Sequence, residues 1–305
     1  MQTRRIGSLD VSVVGVGCNN FGARLDAAAT EKVVLAALEA GINFFDTADV
    51  YGGTKSEEYL GQALRAHRDE ALIATKFGIK LDDQHLGGAR PEYIRSAVED
   101  SLRRLGTDRI DLYQIHRPDP DVPIADTMGA LHELVLAGKV REIGCSNFSV
   151  DQLQEAESAA AGKTPFSSVQ NHYSLLHREP EQGVLAECER QHLGFLPFFP
   201  LANGLLTGKY QKGQPPPPGT RLAANDRFSS DPLSAQVAQM EALRDFVERR
   251  NHTLLELAFS WLLTRPVVAS VIAGATRPEQ IQANAAAIRW QLTPEDLAEI
   301  DRILD

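Results

Sequence analysis

Ile42-Asn43-Phe44-Phe45-Asp46-Thr47-Ala48-Asp49-Val50-Tyr51-Gly52 is the stretch whose reading decides the fold. Ile42, Phe44 and Phe45 are β-formers, and Gly41 before them closes a helical pattern. A strand buried on both faces stays apolar to its end, yet this one ends in a carboxylate. Asp46 is costly there unless a cation meets it. Tyr51 follows on the loop, and Gly52-Gly53 let the chain turn sharply. Taken alone, the stretch reads equally well as a plain strand end and turn. The rest of the chain raises it above that, because it supplies a cation and a histidine at matching positions.

Upstream, residues 3–6 and 11–13 flank Gly7-Ser8-Leu9-Asp10, which reads as a hairpin turn. A strand follows over 13–17. Its ending, Gly15-Val16-Gly17-Cys18-Asn19-Asn20-Phe21-Gly22, approaches a dinucleotide fingerprint, but the third glycine comes two residues too late for GxGxxG. Downstream, helices and strands alternate. Strands are expected at 42–46, 71–75, 110–115, 140–145, 167–170, 194–199 and 267–272. Helices are expected at 30–40, 56–66, 91–105, 123–137, 149–160, 181–192, 232–250, 253–264, 278–287 and 294–303. Pro91 suits a first helical position, Gly106 a C-terminal stop and Ser149 an N-cap. Eight strands alternating with helices, without a linker or shift in composition, define a closed parallel (β/α)8 TIM barrel. It carries an N-terminal β-hairpin and extra C-terminal helices, and one domain over 1–305. Pro215 to Pro218 reads as a surface loop after the seventh strand.

Composition limits the function. The chain has 305 residues, 43% hydrophobic and 24% charged, with a formal net charge of −10. That balance argues against binding to nucleic acid or anionic membranes. Cys18, Cys145 and Cys188 have neither disulfide nor zinc-ligand spacing. No stretch reads as a signal or membrane span, so a cytoplasmic protein is expected.

In such a barrel, chemistry sits at the C-terminal strand ends. The polar residues following the apolar runs are Asp46 and Tyr51, Lys76, His116, Ser146-Asn147, Gln170-Asn171 and Gly274-Ala275-Thr276-Arg277. A lone lysine or histidine at such a place is ordinarily structural. Neighbouring strands lie about 5 Å apart, so Asp46, Lys76 and His116 on successive strands can converge. Asp46 then pairs with Lys76, and Lys76 and His116 flank the Tyr51 phenol. A cation there favours the phenolate and lowers its pKa from about 10 toward neutrality. A phenol so tuned exchanges a proton with a carbonyl oxygen.

This set resembles the aldo-keto reductases over nearly the whole chain. Gly41-Ile42-Asn43-Phe44-Phe45-Asp46-Thr47-Ala48, with Tyr51-Gly52, is similar to the family's first signature. Gly138-Lys139-Val140-Arg141-Glu142-Ile143-Gly144-Cys145-Ser146-Asn147-Phe148 is similar to the second. Leu112-Tyr113-Gln114-Ile115-His116-Arg117-Pro118 resembles the bacterial branch related to potassium-channel β subunits. Leu205-Leu206-Thr207-Gly208-Lys209-Tyr210 and Gly274-Ala275-Thr276-Arg277-Pro278-Glu279-Gln280 complete the likeness.

The resemblance implies NADPH-dependent reduction of aldehydes and ketones, with Asp46, Tyr51, Lys76 and His116 as the catalytic tetrad. It puts the nicotinamide carboxamide on Ser146, Asn147 and Gln170, and its ring on Phe198. Gly204, Leu206 and Lys209 would follow the pyrophosphate, and Thr276, Arg277, Gln280 and Asn284 the adenosine end. Phe199, Leu201 and Gly274 complete the implied cofactor contacts. Phe199 replaces a frequent serine, and Gly274-Ala275 a frequent Lys-Ser. Arg277 remains to read the 2′-phosphate, so NADPH is favoured over NADH. Phe21, Phe77, Arg117, Phe148 and Tyr173 would wall the substrate pocket beside Tyr51, with Arg117 hinting at anionic substrates. The helical pattern reaching Leu304 implies an open, permissive site. A nucleotide-sensing subunit with little turnover is the alternative. A metal site is not expected, because among the strand-end residues only His116 is a candidate ligand. The partner is a small carbonyl compound, and the protein a monomer or weak homo-oligomer.

Overall fold

The computed structural model describes residues 1–80, 87–210, 214, 217, 218, 220 and 231–304. Eight strands form one parallel sheet: β3 (Val14–Gly17), β4 (Phe44–Asp46), β5 (Leu72–Phe77), β6 (Ile110–Ile115), β7 (Val140–Ser146), β8 (Ser168–His172), β9 (Gly194–Phe198) and β10 (Val271–Gly274). They pair in the order β10-β3-β4-β5-β6-β7-β8-β9. The ring closes at Phe195, whose N–H donates to Val267 O (2.7 Å) and whose carbonyl accepts from Ala269 N (2.9 Å). The result is a (β/α)8 barrel. The expected eighth strand, 267–272, is therefore displaced: Val267 to Ala269 close the ring, and the regular pairing with β3 begins at Val271.

Parallel neighbours need crossovers, supplied by α1 (Ala27–Glu39), α2 (Lys55–Leu64), α3 (Pro91–Leu105), α4 (Ile124–Leu136), α5 (Val150–Ala159), α6 (Val184–Gln191), α7 (Asp231–Glu248) and α8 (Leu254–Leu263). α9 (Pro278–Ala286) and α10 (Pro294–Leu304) follow the last strand. Local chemistry sets the ends. Ser149 with Gln152, and Thr253 with Glu256, form reciprocal capping boxes. Pro91 opens α3, and Gly106 ends it in the left-handed region at φ 63. The helix expected over 181–192 is split: a 3-10 turn at Glu179–Gln182 precedes α6. The expected loop at Pro215 to Pro218 falls largely outside the described residues.

The hairpin is tighter than the sequence suggests. β1 (Thr3–Ile6) pairs with β2 (Leu9–Ser12) through a two-residue turn at Gly7-Ser8, with Ile6 opposite Leu9. Leu9 is therefore a strand residue, and Ile6, Leu9 and Val11 pack with Phe44, Ala74, Leu112, Leu196 and Ile272. Those are inward positions of five barrel strands, so the hairpin plugs the N-terminal end. Arg4 fastens it by donating to the carbonyls of Leu263 (2.8 Å), Arg265 (2.9 Å) and Val268 (2.6 Å). Outward residues such as Phe45, Ile73, Tyr113 and Val169 join the larger core against the helices.

Candidate active site

Alternation along the strands decides what reaches the open end. Phe44 and Asp46, Ala74 and Lys76, Leu112 and Gln114, and Ser168 and Gln170 each share the inward face, with apolar or small residues below and polar ones above. Gly17 pairs with Asp46 and Lys76 with Gln114 across the ladders. The polar layer thus rings the barrel beneath a cavity of about 800 Å³, which loops after β3, β4, β6, β7, β9 and β10 line.

Asp46, 4% exposed, is fully engaged. Its Oδ2 accepts from Lys76 Nζ at 2.7 Å, and its Oδ1 accepts from Gln170 Nε2 at 2.9 Å and Gln114 Nε2 at 3.2 Å. Lys76 is wholly buried and also donates to Thr47 O at 2.9 Å. Its ammonium lies 5.1 Å from the Tyr51 ring centroid. Burial disfavours the charged lysine, but the Asp46 carboxylate and the Tyr51 hydroxyl outweigh it and hold the pKa above the ordinary value. His116 meets Tyr51 edge to face, centroids 5.8 Å apart. Burial, then the charges of Lys76 and Arg117, push the His116 imidazole down to about 3. It is neutral at pH 7, and its buried Nδ1 has no partner among the described residues.

The expected lowering of the Tyr51 pKa is reversed. Burial raises the phenol above its usual value, and the opposing pull of Lys76 does not overcome it. His116, being neutral, adds no cationic help.

Asp46, Tyr51, His116, Ser146, Asn147, Gln170, Phe198, Phe199, Leu201, Gly204, Lys209, Gly274, Thr276, Arg277, Gln280 and Asn284 all line the one cavity. Leu206 does not; it is completely buried in the core. Ser146 Oγ donates to Gln170 O (2.7 Å), and Asn147 Nδ2 donates to His116 O (3.0 Å) and Ser146 Oγ (3.1 Å). Asn147 holds a left-handed backbone, φ 63, to do so. The side-chain oxygens of Asn147 and Gln170 thus remain without a donor among the described residues. Lys209 lies against Gly204, where a Cβ would meet its ammonium. Arg277 precedes α9 and forms no ion pair among the described residues, and Thr276 donates through N–H and Oγ1 to Gln280 Oε1 (2.7 and 3.2 Å).

The expected substrate wall is largely elsewhere. Arg117 lines the cavity, but Phe21, Phe77, Phe148 and Tyr173 are core residues at most 3% exposed. The reason is register. Phe77 follows the inward Lys76, so it faces outward and stacks on Tyr113 (4.8 Å). Tyr173 points behind the barrel, donating to Glu181 Oε1 at 2.7 Å. Phe148 packs edge to face on Phe166 at 5.7 Å.

Other lining residues were not anticipated. Asn19, Asn20 and Arg24 follow β3, and Asn20 Nδ2 donates to Ala275 O at 3.2 Å. Gln114, a donor to Asp46, was legible as the polar residue two positions before His116 on the same strand face. Beside the tetrad, Glu57 is wholly buried, accepting from Thr75 Oγ1 and Arg104 Nε, both at 2.6 Å. Asp49 lies near it, and burial with the Glu57 charge pushes its carboxyl up to about 7. Among the described residues, no three His, Cys, Asp or Glu groups are placed to hold a metal ion, and no helix is long and apolar enough to cross a membrane.

The chain can be matched to known proteins. The Aldo/keto reductase family model covers residues 13–305. Aldo-keto reductase YhdN of Bacillus subtilis (strain 168) is 34% identical over 306 residues, 97% of this chain and 91% of that protein. L-glyceraldehyde 3-phosphate reductase of Escherichia coli O157:H7 is 33% identical over 298 residues, 93% and 86% respectively. The solved glycerol dehydrogenase AKR11B4 from Gluconobacter oxydans superposes with a TM-score of 0.87 at 32% identity, covering 99% of this chain and 95% of that one. The chain belongs to the aldo/keto reductase family. It is an NAD(P)H-dependent oxidoreductase acting on small carbonyl compounds.

Proposed function

We propose that the protein reduces aldehydes and ketones to alcohols with NADPH, and that Tyr51 donates the proton. The observation that carries this reading is the wholly buried Lys76, pinned by Asp46 and facing Tyr51 at the cavity floor. A phenol whose pKa stays high is protonated at neutral pH, as a donor to a carbonyl oxygen must be. The Lys76 ammonium beside it stabilises the phenolate left behind, at no cost in reorganisation. Neutral His116 orients the carbonyl oxygen by hydrogen bonding rather than by charge.

The lining residues fit a dinucleotide. The uncommitted oxygens of Asn147 and Gln170 suit the amide hydrogens of a carboxamide, and Phe198 offers a ring face. Lys209 and Arg277 supply cations for phosphates, with Thr276, Gln280 and Asn284 alongside. When bound, NADPH supplies the hydride, and the protein orients it. L-glyceraldehyde 3-phosphate reductase, a relative by its name active on an aldehyde, supports the same direction of reaction.

The test is loss of NADPH absorbance with benzaldehyde, wild type beside Tyr51→Phe. The variant should lose about 10²- to 10⁴-fold in kcat/KM while NADPH still quenches protein fluorescence. Tight NADPH binding with negligible wild-type turnover would instead favour a nucleotide-sensing role.

A further inference from the structure

In a chain of net charge −10, the wall of this cavity carries four cationic side chains. Arg24, Arg117, Lys209 and Arg277 line it, and Asp46, the one lining carboxylate among the described residues, is already matched by Lys76. Lys209 and Arg277 stand on the loops after β9 and β10, where the proposed reading places the cofactor's phosphates. Arg24 is engaged in a contact of its own.

Arg117 is different. It directly follows His116 on the β6 loop, four strands round the sheet from β10. It is exposed to the cavity and forms no ion pair or hydrogen bond among the described residues. Most of the protein's arginines are used: Arg68 and Arg141 grip Asp111, Arg104 grips Glu57, and Arg178 grips Glu181 and Asp301. Arg117 also stands close enough to lower the His116 pKa, as the buried Lys76 does. Like charges in one pocket repel, and a bound anion relieves that repulsion. A guanidinium presents a planar fork that matches a carboxylate or phosphate.

We propose that the carbonyl substrate bears an oxyanion, a carboxylate or a phosphate a few bonds from the carbonyl, and that Arg117 binds it. The inference rests on the reductase reading. It assigns to Arg117 the choice among carbonyl compounds, leaving proton transfer to Tyr51.

A matched series tests it: para-tolualdehyde, para-carboxybenzaldehyde and para-formylphenyl phosphate, with wild type, Arg117→Ala and Arg117→Lys. Wild type should favour an anionic aldehyde by about 10- to 100-fold in kcat/KM, the range of a charge-assisted hydrogen bond. Arg117→Ala should abolish that preference, and Arg117→Lys should keep part of it. The better of the two anions identifies the oxyanion. In parallel, benzoate and phenyl phosphate are titrated against the NADP+-loaded protein by fluorescence, with benzamide as the neutral control. Arg117→Ala should weaken the anion and spare benzamide. Equal kcat/KM for all three aldehydes in wild type, or an equal loss on all three in Arg117→Ala, overturns the proposal and leaves the reductase reading standing. Absence of turnover with every aldehyde overturns the reductase reading, and the fluorescence titration then decides Arg117 alone.

Discussion

Lys76 sits between a carboxylate and a phenol with no exposure to water, and the balance at that one residue shapes the site. Burial alone would lower its pKa; Asp46 and Tyr51 reverse the direction. The same burial raises Tyr51, so charge proximity and desolvation compete at adjacent groups with different winners. Sequence shows which charges can meet but not how dry the meeting place is, and the direction at Tyr51 turns on that dryness. Arg277 is a second residue whose charge has one clear task. It is the lining cation that directly precedes α9, without an ion pair among the described residues, in a segment where Gly274 and Ala275 contribute no charge. If it reads the 2′-phosphate, Arg277→Ala should weaken NADPH binding by about 10- to 100-fold, the worth of a charge-assisted contact. NADH binding should change by less than about 3-fold, within the small effect of a surface charge. Fluorescence titration of both cofactors measures this, and equal losses would remove the assignment.

Among the elements, α2 and α3 meet more closely than side chains normally permit. A Cβ built on Gly61 would overlap the carbonyl of Leu105, the last residue of α3. Alanine at 61 gains roughly 1 kcal/mol in helix propensity. Against that stands a rigid backbone carbonyl that must move, and overpacking of this kind costs about 1–3 kcal/mol. The clash should win, so Gly61→Ala is expected to lower the denaturant midpoint; a raised midpoint would show that the helices can slide apart freely. Nothing in the sequence marks this contact, because Gly61 reads only as a mildly unfavourable residue inside a helical run. Other elements were more legible. Asp46, a carboxylate ending an apolar strand, announced a cation, and the alternation of strands and helices placed Lys76 and His116 on its neighbours. The aromatic residues failed for a definable reason. Phe77 lies one position from Lys76, and a period of two sends it to the opposite face. The hairpin turn is shorter than Gly7-Ser8-Leu9-Asp10 suggests, because the Leu9 side chain belongs in the plug.

Across the whole molecule, three buried or half-buried groups set opposing demands on pH. The native fold keeps His116 neutral down to about 3, facing Lys76 and Arg117, and His172 neutral down to about 4, stacked on His177 at 3.8 Å. The unfolded chain protonates both near 6.5, so their contribution is present above that pH and is lost as pH falls toward 4. Asp49 acts the other way. Facing Glu57, Arg104 and Lys76, it keeps its proton up to about 7, whereas the unfolded chain releases it near 3.8. Stability from that group therefore falls as pH rises between about 4 and 7. Two histidines against one carboxyl leave stability rising with pH up to about 6.5, after which Asp49 alone continues to reduce it. Asp49→Asn removes the charge without removing the side chain's volume. Compared with wild type, the variant should gain stability at pH 8 relative to pH 4.5, by an amount on the order of a few kcal/mol at most. Melting curves at the two values measure it. A wild-type-to-variant difference in Tm that does not change with pH would mean that the Asp49 carboxyl ionises in the native fold as readily as in water. Its burial beside Glu57 would then be relieved in solution, and the loop from Thr47 to Gly53 that carries Tyr51 would be more open than its packing implies.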